Sequence, residues 1–176
     1  MKTPPPVRDS RDDDVPAIQS IYAHHVRRGT GTFELDAPDV EEIGARRADV
    51  LANGFPYLVA ERSGAVIGFA YANYFRMRPA YRFTVEDSIY VADAARGHGV
   101  GRALLQALIG RCQAAGCRQM LAVIGDSANA GSIGLHANAG FRFAGTLRST
   151  GWKFDRWLDA VIMQRELGAG EREPAR

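Results

Sequence analysis

A glycine-rich segment at residues 96–102, Arg-Gly-His-Gly-Val-Gly-Arg, lies between a predicted strand and an amphipathic helix. Alternate glycines let a ligand approach the main chain closely. The free N–H groups and the dipole of a helix that begins there favour an anion. The segment predicts a phosphate or pyrophosphate site, to which Arg96, His98 and Arg102 could add charge. A tight turn that needs positive φ is the alternative.

Two familiar phosphate-binding motifs fit this segment poorly. No Gly-Lys-Ser/Thr follows the glycines, so the segment is not a P-loop. A dinucleotide-binding fold places the motif Gly-x-Gly-x-x-Gly directly after a strand. Here the spacing is Gly-x-Gly-x-Gly, and the strand is predicted to end near Val91, several residues before the glycines. Asp126 ends a later strand, but it lies too far along the chain for the usual ribose-binding acid. These residues favour a phosphate-bearing ligand without naming it.

Hydrophobic periodicity and turn signals predict the element order β-α-α-β-β-β-α-β-α-β-β. Helices are expected over about residues 11–28, 38–53, 102–115 and 127–139, and strands over about residues 7–10, 57–61, 65–75, 82–91, 119–124, 143–153 and 157–167. This order indicates a mixed α/β or α+β sheet rather than a doubly wound fold. A single domain is expected over residues 6–167, with disordered tails at 1–5 and 168–176.

Composition narrows the class of protein. The 46% of apolar residues is too high for a disordered chain. The 22 basic residues against 20 acidic ones argue against a dedicated nucleic-acid binder. No apolar run is long enough to span a bilayer, and the first residues lack the apolar core of a signal peptide. Cys112 and Cys117 lack metal-site spacing. We expect a cytoplasmic protein with no metal and no membrane partner.

Several motifs together resemble the GNAT-type N-acetyltransferases. Arg-x-x-Gly-x-Gly at residues 96–101 is followed by a helix, by Asn129 and by Ala-Gly-Phe at residues 139–141. Over residues 6–167 the chain looks most like the phosphinothricin and methionine sulfone acetyltransferase subgroup. The matching stretches are residues 21–22, 30–34, 56–60, 84–86, 88–91, 122–125, 135–136 and 157–159. The loop motif alone is moderately specific, whereas the whole set in this order is strongly indicative.

The resemblance implies the GNAT fold: a mixed, mostly antiparallel central sheet with helices on both faces and a splayed fourth and fifth strand pair. A β-bulge in the fourth strand would open the gap that the thioester of acetyl-CoA enters. The fourth strand would pair with the pantetheine arm as with an added strand, and the glycine-rich loop would hold the pyrophosphate. The acetyl-CoA-binding residues so implied are Ile89, Tyr90, Val91, Arg96, Gly97, His98, Gly99, Val100, Gly101, Arg102, Asn129 and Ser132.

Glu86 is the first catalytic candidate. Acetyl transfer to an amine needs a base, donors for the developing oxyanion and a proton for the leaving thiolate. Glu86 matches the glutamate taken as general base in the subgroup. Strict alternation places it opposite Val85 and Ile89, away from the apolar core, and leaves Asp87 as an acid on the core side unless the bulge resets the alternation. From the residues alone, a solvated strand carboxylate is the simpler interpretation of Glu86.

His136 is the second catalytic candidate. Many GNAT enzymes have a tyrosine four residues before the Gly-Phe that ends this helix, where it is an acid to the coenzyme thiol; here that residue is His136. A histidine could protonate the thiolate or donate to the carbonyl oxygen. The alternative is a helix-face histidine bonded to a backbone carbonyl. His24 and His25 are interpreted as surface or packing residues of the first helix.

The acceptor side is expected around residues 75–82, Phe-Arg-Met-Arg-Pro-Ala-Tyr-Arg, beside the thioester slot. Arginines suit bidentate recognition of a carboxylate. By resemblance, Arg76 and Arg78 would bind the α-carboxylate of a small amino acid, and Phe33 would line its side-chain pocket near Glu86. A solvated turn with ordinary surface arginines is the alternative, above all for Arg78 and Arg82. The sequence does not choose among methionine sulfone, methionine sulfoximine, phosphinothricin and other small amines.

The sequence leaves three candidate functions for this protein. The first is an acetyl-CoA-dependent N-acetyltransferase acting by direct attack in a ternary complex, with a different small amine as a variant. The second is a CoA-binding module without catalysis, against which intact Glu86 and His136 argue. The third is a dinucleotide-dependent oxidoreductase, which the glycine spacing disfavours. The resemblance also implies a homodimer.

Overall fold

The computed structural model describes residues 4–174, which form a seven-stranded sheet flanked by four α-helices. The strands are β1 (Val7–Asp9), β2 (Tyr57–Arg62), β3 (Ala65–Tyr74), β4 (Thr84–Val91), β5 (Gln119–Gly125), β6 (Arg142–Lys153) and β7 (Arg156–Glu166). The helices are α1 (Val15–Arg28), α2 (Val40–Ala52), α3 (Val100–Ala114) and α4 (Ala130–Asn138). Across the sheet the order is β1-β2-β3-β4-β5-β7-β6, and only the β4–β5 pair is parallel.

The helices cover the two faces of the sheet in pairs. Tyr22 of α1 packs edge-on against Tyr90 of β4, with ring centroids 4.9 Å apart, on the face that α1 and α2 cover. On the other face, Gly68 of β3 lies so close to α3 that an added Cβ would come within 3.2 Å of Leu104. An added Cβ on Gly101 of α3 would likewise lie 3.3 Å from Leu135, which places α4 beside α3. The core thus forms two apolar layers around β2–β5.

Local sequence signals account for the helix ends. The Asp39 side chain accepts the Glu42 N–H at 2.8 Å and begins α2, because a helix start leaves backbone donors without partners. Gly54, Gly116 and Gly140 have φ of +78°, +86° and +84° and stand after α2, α3 and α4. Left-handed backbone suits glycine, so these residues end the helices where the sequence predicts.

The predicted fold class and element order are confirmed, with element ends that move by a few residues. The fourth and fifth strands also splay apart as predicted. Their pairing joins residues 84–87 of β4 to residues 119–122 of β5 and then stops. Beyond that point β4 continues to Val91 without a β5 partner, so a gap opens inside the sheet.

The β-bulge expected in β4 is not found. The β3–β4 ladder keeps one register from Tyr74↔Val85 to Gly68↔Val91, so side chains alternate without a reset. The gap opens without it, because β5 leaves β4 after Ala122 and pairs with β7 through Gly125. As a consequence, the alternation places the Glu86 and Asp87 side chains on opposite faces of the sheet.

The predicted tails fall partly outside the described residues, since residues 1–3 and 175–176 are not described. Within the described part, Pro5 is buried and the Pro6 carbonyl accepts the Glu61 N–H at 3.1 Å. Residues 167–172 form two successive turns after β7. None of the helices within residues 4–174 combines the length and the apolar character that a membrane crossing requires.

Candidate active site

A cleft of about 870 Å³ opens where β4 and β5 separate. Its walls are residues 86–91 of β4, residues 122–125 of β5 and the following Asp126, the loop at 29–33, and the segments that begin α3 and α4. The two strands supply rigid sides, whereas the loops close the ends. The cleft is therefore held by the sheet at the position where the sequence predicts the thioester slot.

The glycine-rich loop has the geometry of an anion cradle at one end of this cleft. Gly97 and Gly99 have φ of +72° and +78°, and an added Cβ on either would meet open space. The first bond into α3 runs from the Ala103 N–H to the Gly99 carbonyl, so the N–H groups of the preceding turn have no partner within the helix. Free donors at a helix start fit a pyrophosphate.

The two arginines of the glycine-rich loop border the cleft, whereas the histidine between them does not. Arg96 and Arg102 border the cleft and are exposed, and Arg96 also pairs with Asp93 at 2.9 Å. His98 does not border the cleft, and its Nδ1 lies 2.7 Å from the Arg96 carbonyl. The ring of His98 thus contacts the main chain of its own turn rather than the cleft. Gly97, Gly99, Val100 and Gly101 all line the cleft.

The unpaired end of β4 forms one long wall, and Ile89, Tyr90 and Val91 all line it. Because β5 leaves after Asp87, the edge of β4 beyond it can take an added strand. A side chain from α1 reaches this edge: His25 Nε2 lies 3.0 Å from the Val91 carbonyl, and His25 lines the cleft. Burial lowers the pKa of His25, which favours a neutral ring.

The start of α4 supplies the two predicted polar residues, Asn129 and Ser132. Asn129 caps the helix, because its side-chain oxygen accepts the Ser132 N–H at 3.2 Å. Asp126, with φ +70°, turns the chain from β5 towards α4, and its carboxylate accepts the Ala128 N–H at 3.0 Å. Arg156 of β7 donates to the same carboxylate at 2.6 Å. Asn129 and Ser132 both line the cleft.

Glu86 stands at the point where β4 and β5 part, and its half-buried side chain faces the α1–α2 side of the sheet. Burial raises the pKa of Glu86, and repulsion from Asp87 raises it further. The positive charge of Arg76 opposes both effects. A carboxylate with a raised pKa that borders a cleft is suited to accept a proton near neutral pH.

On the opposite face, His136 of α4 pairs with Asp87. His136 Nε2 lies 3.0 Å from Asp87 Oδ2, and both side chains are almost fully buried. His136 Nδ1 lies 2.8 Å from the Ser132 carbonyl. Burial alone would lower the pKa of His136, but the bond to Asp87, its charge and the Ser132 carbonyl together raise it. Asp87 is therefore a core-side acid, as the alternation predicts.

The loop at residues 29–33 closes the end of the cleft where the acceptor is predicted, and side chains or backbone of α1 and β6 hold it in place. Tyr22 of α1 contacts the Thr32 hydroxyl at 3.1 Å, and the buried Lys153 of β6 donates to the Thr32 carbonyl at 2.8 Å. Phe33 lines the cleft and lies against Gly151 of β6, where an added Cβ would come 2.6 Å from its ring. These contacts fix the side chain predicted to line the acceptor pocket.

The two predicted carboxylate-binding arginines lie outside the cleft lining. Arg76 and Arg78 are both exposed in the segment between β3 and β4. The Arg76 guanidinium lies 5.1 Å from the centre of the Phe75 ring, and its charge reaches Glu86. Arg78 precedes a short 3-10 turn at Pro79–Tyr81. Arg76 thus borders the Glu86 side of the site, whereas Arg78 makes no contact with it.

Sequence reasoning missed His25, Lys153 and the partnership of Asp87 with His136. The signals for His25 and Lys153 were absent, because each acts on a carbonyl far away in the chain. Asp87 did carry a signal: a carboxylate at a core-facing strand position needs a buried partner. Within residues 4–174 no group of three or more metal-ligating side chains is found.

Comparison with known proteins agrees with this geometry. Residues 12–141 match the profile of the acetyltransferase (GNAT) family. The chain belongs to this family, as the motifs predict. The chain is 58% identical over 165 residues to a phosphinothricin N-acetyltransferase of Alcaligenes faecalis, which covers 94% of this chain and 84% of that protein. The protein with this cleft and fold is therefore an N-acetyltransferase.

Two further relatives support the same class. An L-methionine sulfoximine/L-methionine sulfone acetyltransferase of Pseudomonas aeruginosa is 40% identical over 96% of this chain and 98% of its own length. The crystal structure of a GNAT superfamily phosphinothricin acetyltransferase from Sinorhizobium meliloti, in complex with AcCoA, has a TM-score of 0.96. It is 46% identical and covers 99% of this chain and 94% of that one.

Proposed function

We propose that this protein transfers the acetyl group of acetyl-CoA to the α-amine of a small amino acid or analogue, of the phosphinothricin, methionine sulfone or methionine sulfoximine type. The observation that carries the proposal is the position of Glu86, a half-buried carboxylate at the mouth of the β4–β5 gap. The activities of the Alcaligenes and Pseudomonas relatives support the substrate class.

The residues present fit acetyl-CoA along the whole cleft. Gly97 and Gly99 leave open space above free N–H groups for the pyrophosphate, and the unpaired edge at residues 89–91 fits an extended amide chain. Asn129 and Ser132 border the same space. When bound there, the thioester supplies an activated acetyl group.

Glu86 acts as the general base. An ammonium group cannot attack a carbonyl, so the amine must first lose a proton, and the raised pKa of Glu86 brings this carboxylate closer to the amine in proton affinity. The proton passes to Glu86 directly or through one water, and the neutral amine then attacks. No cysteine borders the cleft among residues 4–174, which agrees with direct attack rather than an acetyl-enzyme.

His136 stabilises negative charge from the opposite side of the strand. Its ring lines the cleft, and its partners Asp87 and the Ser132 carbonyl favour the protonated form. A positive ring in a dry site stabilises charge that develops on the carbonyl oxygen or on the departing sulfur. On the acceptor side, Arg76, whose charge reaches Glu86, binds the carboxylate, and Phe33 lines the side-chain pocket.

The test measures release of the coenzyme thiol from acetyl-CoA with a panel of amines. We expect release to depend on added phosphinothricin or methionine sulfone, and to fall by about 100-fold or more in E86Q. Calorimetry should show that E86Q still binds acetyl-CoA. Binding of acetyl-CoA without turnover on any amine would instead establish the non-catalytic module. Tighter binding of NAD than of CoA would favour the oxidoreductase.

The exposed edge of the sheet supports a homodimer. β6 is an edge strand, and it carries large apolar side chains in solvent. Trp152 and Trp157 are 53% and 60% exposed and form a T-shaped pair 5.3 Å apart. Phe143 and Leu147 of the same edge strand are also more than half exposed. Because a patch of this kind is typical of an interface, we assign it to a second copy of the chain. Light scattering on the wild type and W152E checks this: a monomeric wild type would contradict it.

The cytoplasm remains our proposal for the compartment. Cys112 and Cys117 are both free thiols, although the Cys117 N–H bonds the Cys112 carbonyl at 3.0 Å. Free thiols that lie close together are typical of a reducing environment. Fractionation of the producing cells tests it: activity in the soluble cytoplasmic fraction is expected, and activity outside the cell would contradict it.

A further inference from the structure

The hydrogen bonds of the buried Asp87–His136 pair determine which ring nitrogens of His136 carry protons. The Ser132 carbonyl, 2.8 Å from His136 Nδ1, can only accept, so Nδ1 carries a hydrogen. The other ring nitrogen, Nε2, lies 3.0 Å from Asp87 Oδ2 and needs a second proton between the two atoms. Because a carboxyl group is normally a stronger acid than an imidazolium, this proton belongs on Nε2. The ring is then positive and faces a carboxylate.

The second carboxylate oxygen of Asp87, Oδ1, lacks a hydrogen-bond partner within residues 4–174. Asp87 Oδ1 is fully buried, and no donor among the described residues reaches it. A buried carboxylate oxygen without a hydrogen bond destabilises the fold, so packing alone does not account for this residue. Asp87 and His136 both line the cleft rather than a sealed core. An unsatisfied polar atom at such a place is typical of a functional site.

Few other titratable groups face the pair. Glu86 precedes Asp87 on the same strand but points to the other face, and Asp87 repels it. On α3, Cys112 has a raised thiol pKa, mainly through its bond with Cys117 and through burial, with a smaller effect of the Asp87 charge. On the remaining side the Phe141 ring packs edge-on against His136, with centroids 5.0 Å apart. The positive ring therefore depends on Asp87.

We propose that Asp87 is a positioning residue for acetyl transfer: it orients the His136 ring toward the cleft and keeps both ring nitrogens protonated. The role in the reaction rests on the proposed function, whereas the state of the ring does not. Without the carboxylate, the Ser132 carbonyl would still hold Nδ1–H, but Nε2 would lose its proton and the ring its charge. His136 would then stabilise negative charge in the cleft less well.

The first experiment measures the ring nitrogens of ¹⁵N-labelled protein by NMR, in the wild type and D87N, without any ligand. We expect His136 in the wild type to carry protons on both nitrogens at pH 7 and to titrate above the ordinary histidine range. In D87N it should become the Nδ1–H tautomer at pH 7. An unprotonated Nε2 in the wild type, or an unchanged titration in D87N, would overturn the proposal.

A matched control makes the same change in an exposed pair. His24 Nε2 lies 2.6 Å from Asp93 on the surface, so D93N also removes one carboxylate beside a histidine. We expect D93N to alter the His24 resonances and to leave those of His136 unchanged. If D93N moved His136 as much as D87N does, net charge rather than Asp87 would be responsible. Should D87N not fold, the wild-type spectrum alone decides the protonation of the ring.

The second experiment uses the pH dependence of turnover. In D87N we expect kcat to fall by about 10- to 100-fold, with little change in the KM for acetyl-CoA. The basic limb of the profile should move to lower pH, because His136 loses its proton more easily. The acidic limb should move the same way, because repulsion from Asp87 helps to raise the pKa of Glu86. A lower kcat with unmoved limbs would show a merely structural residue. If the wild type turned over no amine, the proposed function would fail, and NMR would still test the pair.

Discussion

The two ends of the cleft are built in different ways. The end proposed for the cofactor consists mainly of one continuous stretch, residues 89–102, in which a strand edge, a glycine loop and a helix start present main-chain groups. The end proposed for the acceptor takes side chains from separate elements, Phe33 from a loop and Glu86 from β4, and Lys153 of β6 holds that loop. A site for phosphates can thus be built from a local motif, whereas the proposed acceptor pocket needs the completed tertiary structure.

The largest effect is expected from G125A, which disturbs the acceptor end. An added Cβ on Gly125 would lie 2.1 Å from the Thr30 carbonyl and 3.0 Å from the Phe33 ring. Since a carbonyl of the main chain cannot rotate away, the loop must move. We expect kcat/KM for the amine to fall by about 100-fold, as measured by thiol release, because small displacements misalign the reactants.

The control for G125A is G110A on α3, where an added Cβ meets nothing within 4 Å. This variant should keep its activity and gain about 0.5–1 kcal/mol of stability, because alanine favours a helix more than glycine does. Normal amine kinetics in G125A would show that the loop is not seated on β5.

A smaller effect is expected from R76A, which removes charge beside Glu86. Loss of a charged hydrogen bond of about 1.5–3 kcal/mol should raise the KM for the amine by about tenfold or more, while the KM for acetyl-CoA stays the same. The neighbouring R82A is the control, because the Arg82 guanidinium lies over Phe83 and bonds the Pro79 carbonyl. Equal effects of the two variants on the KM for the amine would show that Arg76 has no specific role in binding this substrate.

G99A tests the cofactor end by changing only the backbone. Gly99 has φ +78° with open space around an added Cβ, so the penalty is conformational, about 1–2 kcal/mol. We expect the KM for acetyl-CoA to rise several-fold and the KM for the amine to stay unchanged. A larger effect on the amine would contradict the separation of the two ends.

The smallest effect concerns His25, a side chain from α1 that enters the cofactor end. Its pKa is lowered by burial, so the unfolded chain binds a proton more readily than the folded one. The contribution of His25 to stability is present above the ordinary pKa of about 6.5 and is lost as the pH falls below it. His136 has a raised pKa, so its contribution to stability changes with pH in the opposite direction. His136 is present in both the wild type and a His25 variant, so the difference between them reports on His25.

In H25Q the amide can still donate to the Val91 carbonyl, so we expect a shallower loss of stability between pH 7.5 and 5.5 than in the wild type. Urea denaturation at both pH values measures this difference. A steeper loss in H25Q would mean that His25 is protonated in the folded protein.

Much of the fold could be predicted, because the signals are local. Helix stops at Gly54, Gly116 and Gly140 and the period-two pattern of β4 place the elements nearly where they occur. The catalytic and binding residues remain predictions, but the structure brings most of them to one cleft. The exceptions are the His98 ring, Arg76 and Arg78, which lie outside its lining. The position of a flexible surface side chain depends on contacts that a linear pattern does not encode.

Local signals in the sequence were enough to predict the glycine-rich turn before α3 and the order of the elements, because each follows from backbone geometry over a few residues, and unbroken alternation in β4 predicted opposite faces for Glu86 and Asp87. Three contacts became visible only in the folded protein: Asp87 with His136, His25 with the Val91 carbonyl, and Lys153 with the loop that carries Phe33. These contacts join residues 49, 66 and 121 positions apart. Their formation requires the folded sheet, since no local propensity brings such distant groups within 3.0 Å.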